Sequence, residues 1–207
     1  MQPRSRSTWC SQRSAGAEKI ACASVDAPGW EVRRSPRMGW NTSALFVRGR
    51  SIDEVVGALP DDAAFAPSGE QLNADSAWSN SPGQRLYLAL ENGWCQMWDT
   101  DQRIAPDIDR LLASGALGTL KGTRALAVLF SSVSSIYGLW LYDDGRLVRG
   151  IVFHHGEPVV DVGAPLPVES EVEIPSWGPD EDFLWAAIKD VTGLTADIDQ
   201  LFEVYEL

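Results

Sequence analysis

The dipeptide Asn92-Gly93 constrains this chain more than any other feature. It sits between Arg85 to Glu91 and Trp94 to Asp99, two runs rich in aromatic and apolar residues. Both central residues of a type I′ turn need positive φ, which Asn and Gly tolerate best, so the stretch reads as a β-hairpin. A second hairpin is read around Asp143-Asp144-Gly145, joining Ile136 to Tyr142 with Arg146 to Phe153. After the turn His154-His155-Gly156-Glu157-Pro158, Val159 to Val162 adds an edge strand. Arg124 to Ser131, RALAVLFS, is almost wholly apolar and suits a strand covered on both faces. Trp40 to Val47 reads as the first strand.

Helices are fewer. Ser51-Ile52-Asp53-Glu54 is a capping box, followed by Ile52, Val55, Val56 and Leu59 at helical spacing, with Pro60 as the stop. Pro106 to Leu117 carries a short helical pattern. Gly178-Pro179 opens a third helix whose apolar stripe is Phe183, Leu184, Ala187, Ile188 and Val191, with Gly193 as its cap. Pro165, Pro167 and Pro175 mark an extended crossing segment, and Asp199 to Leu207 reads as a last strand or a frayed helix. Residues 60 to 84 are polar and rich in Pro, Gly, Ser, Asn and Asp, which predicts an irregular excursion with at most one short strand. The class that follows is α+β: an antiparallel sheet of hairpins with about three helices, packed mainly on one face.

Residues 1–37 differ in kind. They are rich in Arg and Ser, lack hydrophobic periodicity, and hold seven Lys/Arg against three acids. They read as a disordered leader, a basic arm, or a stretch upstream of a mis-assigned start; the last is favoured because Met38 runs directly into the first strand. Residues 38–207 read as a single α+β domain. At about 170 residues such a domain buries roughly 70% of its unfolded surface and needs no metal or disulfide staple.

Charge falls steeply along the chain. Residues 157–207 hold one Lys and thirteen acids, and the whole chain has a net charge of −12. An acidic body repels phosphates, which argues against nucleic acid and for a basic partner. Cys10, Cys22 and Cys95 form no CxxC, in keeping with a reduced cytoplasm, and Cys95 reads as a buried inert thiol. No apolar run approaches the roughly 18 residues of a membrane span.

No motif fixes a chemistry. The glycines form neither GxGxxG nor GxxxxGK[ST], and no GxSxG encloses Ser131, Ser132, Ser134 or Ser135. Asp99-Thr100-Asp101 lacks the Gly and the terminal Glu of a calcium loop. His154 and His155 point to opposite faces if they lie on a strand and come together only in a turn. No catalytic, cofactor-binding or metal-ligating set is assigned. Trp94 and Trp98 share strand parity and read as core. Trp177 and Trp185, flanking Asp180-Glu181-Asp182, best match an exposed aromatic patch ringed by acids; those acids also suit the first turn of a helix.

Three stretches, MGWNTSALFV (38–47), SSVSSIYGLWLYDDGRLVRGIVF (131–153) and GAPLPVES (163–170), resemble a family of uncharacterised acidic actinobacterial proteins, a domain of unknown function. Its Glu-Pro-Leu-Pro segment has Ala164 in place of Glu here. The resemblance implies a cytoplasmic bacterial protein starting at Met38, and carries over no catalytic residue. The expectation is therefore a non-enzymatic cytoplasmic binding module, an acidic partner of a basic protein as an immunity protein is to a cationic toxin. Partner-binding residues would be Trp177, Asp180, Glu181, Asp182 and Trp185. The alternative is a small hydrolase with a site near His154, His155 and the 60–84 loop.

Overall fold

The computed structural model describes residues 40–59, 64–79, 83–105, 108 and 121–207. The leader, and all but Ile108 of the helical pattern from Pro106 to Leu117, lie outside them.

Among the described residues, nine strands form one antiparallel sheet in the order β2-β9-β3-β4-β1-β5-β6-β7-β8. They are β1 (Asn41–Arg48), β2 (Ala66–Asn73), β3 (Arg85–Glu91), β4 (Trp94–Asp99), β5 (Arg124–Ser131), β6 (Ile136–Asp143), β7 (Arg146–His154), β8 (Glu157–Gly163) and β9 (Leu201–Glu206). Four described helices pack on the sheet: α1 (Ile52–Val56), α2 (Ala74–Ser79), α3 (Pro167–Glu171) and α4 (Glu181–Thr192).

The apolar pattern explains the order. Thr42 to Val47 in β1, all of β4, and Ala125 to Ser131 in β5 are buried, and these three strands lie side by side in the middle. A strand covered on both faces reads as a continuous apolar run, which is what RALAVLFS is. Ala44, Phe46, Trp98, Leu126, Val128 and Phe130 face the core under α2, α3 and α4. Leu45, Val47, Cys95, Met97, Ala125 and Ala127 face a second core that includes Ile52 and Val55 of α1 and the neighbouring Ile104, Ala105 and Ile108. Three of the four described helices thus share one face.

Both hairpins form at the expected turns, with Asn92 and Gly93 at φ 50° and 77°. The capping box of α1 is complete: Ser51 N–H donates to Glu54 Oε2 at 2.8 Å, and Glu54 N–H donates to Ser51 Oγ at 3.2 Å. The helix closes at Gly57, short of Pro60.

Within the stretch 60–84, the described residues 64–79 are more regular than their composition predicts. β2, APSGEQLN, is an edge strand exposed on both faces, so it needs no alternation, and an irregularity separates its pairs at Pro67 and Gln71. It runs into α2, where the Asn73 side chain accepts from Ser76 N–H at 3.1 Å. Trp78 anchors α2 within 6.5 Å of four other rings, those of Trp40, Trp98, Trp185 and Phe202. Two further readings are corrected. The Pro-rich crossing contains α3, held by Glu169 Oε1 accepting from Leu166 N–H at 2.8 Å. α4 begins at Glu181, not at Pro179, because Asp180 is its N-cap, its carboxylate accepting from Asp182 N–H at 3.1 Å. Residues 201–206 are a strand, inserted between β2 and β3.

Candidate functional site at the acidic rim

Three turns meet where β5, β6 and β7 end or begin. They are the β5–β6 turn at Ser132 to Ser135, the β7–β8 turn at His155-Gly156, and the segment Trp177 to Asp180 leading into α4. His155 N–H donates to the Ser135 carbonyl at 2.9 Å, joining the first two turns. Two glycines join the second and third. A Cβ on Gly156 would lie 2.5 Å from the Trp177 carbonyl oxygen, and one on Gly178 would lie 2.2 Å from the Gly156 Cα. Both have positive φ, 82° and 105°, so only glycine meets both demands.

This joint fixes the backbone at Trp177, whose side chain is 72% exposed beside buried Gly178 and Pro179. Asp180, Glu181 and Asp182 follow at the start of α4. Glu181 Oε1 accepts from the Tyr137 hydroxyl at 3.2 Å, pinning the helix start to β6. Burial and then Glu181 push the Tyr137 phenol well above its ordinary range, so it remains a donor. Burial, with the Asp182 charge next, raises the Asp180 carboxyl above its ordinary value. Phe153 and Phe183 stack edge to face at 5.8 Å beneath. Exposed Glu157 starts β8 opposite His154.

Of the five expected partner-binding residues, Trp177, Asp180, Glu181 and Asp182 come together at this rim. Trp185 turns inward and is half-buried, its ring 5.2 to 5.9 Å from those of Trp40, Trp78, Trp98 and Phe130. His154 and His155 belong to the rim too. His155 lies in the turn at φ 51°, which breaks strand alternation and brings the two imidazoles to 4.2 Å between centroids. Among the described residues no three His, Cys, Asp or Glu are grouped to hold a metal ion. β2, inside the 60–84 stretch, lies at the opposite edge of the sheet from β8.

The thirteen C-terminal acids do not form one cluster. Glu206 on β9 pairs with Arg85 at 2.5 Å, far across the sheet from β8. Asp161 and Glu169 hold buried Arg149: Glu169 takes Nε and Nη2 at 2.7 and 2.6 Å, and Asp161 takes Nη1 at 2.5 Å. Neither this fork nor the Tyr137–Glu181 bond had a local sequence signal, since the partners are 20 and 44 residues apart.

Cys95 is fully buried, and desolvation, with Glu203 next, pushes its thiol up to about 12, so it is no nucleophile near neutrality. Among the described residues no helix is long and apolar enough to cross a membrane. No protein-family model, curated protein or solved structure matches the chain.

Proposed function

We propose that this chain is a non-enzymatic, cytoplasmic binding module whose acidic rim docks a basic protein, in the manner of an immunity protein facing a cationic toxin. The observation that carries the reading is Trp177: a large aromatic side chain held out in solvent by a rigid glycine joint and set beside Asp180, Glu181, Asp182 and Glu157. Exposed Trp is a preferred anchor of protein interfaces. Carboxylates around it steer a cationic surface into place and set partner choice more than raw affinity. The glycine joint favours tight docking, because a pre-organised anchor loses little freedom on binding.

Affinity capture from the source cells, with the full chain as bait, tests the reading. A basic protein retained at low salt and released at high salt supports it. Capture of nothing at low salt, or of acidic proteins alone, removes its support. A specific hydrolytic activity abolished by substituting His154 and His155 would favour the hydrolase reading instead.

A further inference from the structure

The opposite end of the central strands has the reverse character. β5 runs from Arg124 to Ser131, so its first residue stands roughly 23 Å from the rim at about 3.3 Å per residue. There an open groove of about 540 Å³ is lined by Arg48, Gly49, Arg50, Gly122, Thr123, Arg124 and Asp143. This size falls in the usual range for small-molecule sites.

The arginines are arranged against their own repulsion. Val47 pairs with Ala125, so Arg48 comes opposite Arg124 one rung further along, on the same face of the sheet. Like charges directly opposite on neighbouring strands destabilise a sheet. Asp143 is in register with Arg124 on its other side, yet no ion pair joins them. Among the described residues, Arg48 and Arg124 have no carboxylate partner. Arg124 Nε is buried and donates to nothing. Arg50, by contrast, is held at the groove wall by Glu54 Oε1 at 3.4 Å and the Lys121 carbonyl at 3.1 Å. The floor is tied down as well: Thr123 Oγ1 donates to the Arg48 carbonyl, and Gly122 N–H donates to Asp144 Oδ1 at 2.7 Å.

The groove thus sets Arg48 and Arg124 at facing positions of neighbouring strands, one with an unused buried N–H, and among the described residues Asp143 is the one carboxylate in its lining. We propose that the groove binds a phosphate-bearing small molecule, whose oxygens take up Arg48 and Arg124 together. A phosphate group brings close to two negative charges and several strong acceptors, matching both arginines, where a single carboxylate neutralises one. The chain's overall acidity leaves this groove as a local exception and restricts it to compact ligands, since a long polyanion would meet the acidic remainder.

Calorimetric titration of the full chain with inorganic pyrophosphate and with a nucleoside triphosphate, at constant ionic strength, tests this. Binding of either probe is expected, weakened about tenfold or more by Arg48→Gln, which is exposed and leaves the fold intact, and by Arg124→Lys, which keeps the charge and loses the fork. Tighter binding of the triphosphate would mark the ligand as a nucleotide, and equal binding would mark the phosphate group alone as what is recognised. Absence of heat with both probes, unchanged affinity in Arg48→Gln, or equal affinity for citrate would overturn the proposal.

Discussion

Gly156 and Gly178 pack backbone against backbone, so closely that a Cβ on Gly178 would sit 2.2 Å from the Gly156 Cα. This contact joins the β7–β8 turn to the segment entering α4 and sets the direction of Trp177. Gly178→Ala adds a side chain at φ 105° and forces the two turns apart. It is expected to lose more than about 2 kcal/mol. Urea unfolding of the variant checks this, and stability equal to the parent would mean that the turns are not joined.

Arg149 and Glu169 make the second cross-link, between β7 and α3. The Arg149 side chain is 2% exposed and Glu169 12%. Removing Glu169 leaves buried Arg149 with only the exposed Asp161 as counter-charge and strips the partners of Nε and Nη2. Glu169→Ala should therefore cost about 2 kcal/mol or more, and the double variant Arg149→Met, Glu169→Met should be the more stable of the two. Chemical denaturation of both variants checks the order.

Asp99 gives a pH signature. Its side chain is fully buried and accepts three backbone N–H bonds, from Asp101 at 3.0 Å, Arg103 at 2.6 Å and Ile104 at 3.2 Å. Burial outweighs these bonds and raises its carboxyl above the ordinary 3.8. The folded state then binds a proton more readily than the unfolded one. Stability from this group falls as pH rises from 3.8 through the raised value, and is complete below 3.8. Asp99→Ala should lose at least about 2 kcal/mol at neutral pH through its orphaned amides. The difference between parent and variant should widen as pH is lowered from neutrality toward 3.8; unfolding curves at the two pH values that differ by a constant amount would contradict the assignment.

Cys95 should be a reporter of opening. It is buried between β-strands on the face shared with α1, with its thiol held protonated. Labelling with a thiol reagent, followed site by site by mass mapping, should modify Cys95 only at the rate of unfolding. Rapid labelling of Cys95 under native conditions would contradict its burial.

What the residues disclose in advance is what is local. Asn92-Gly93 and Asp143-Asp144-Gly145 specify their hairpins, and Ser51 with Glu54 starts α1, because each signal acts within a few residues. β2 escapes notice because an edge strand exposed on both faces has no apolar period, and its Pro67 and Gly69 look like loop residues. α3 escapes because its N-cap is Leu166, leaving Glu169 to make half of the usual box through the backbone. The insertion of β1 between β4 and β5, and of β9 between β2 and β3, depends on pairing across long stretches of chain, which no window of sequence contains. The rim was legible in part. Trp177 and its acids stand out by composition, but their seat depends on two glycines 22 residues apart, and Arg48 meets Arg124 only through the sheet register.

The most direct test of the acidic rim is the affinity of the captured basic partner for the parent chain and for Trp177→Ala. Trp177 is 72% exposed, so its loss should leave the melting temperature of the chain nearly unchanged. The affinity should fall by about thirtyfold or more, the loss of an interface anchor worth roughly 2 kcal/mol or above. Binding that is equally tight without the Trp177 indole would contradict the account.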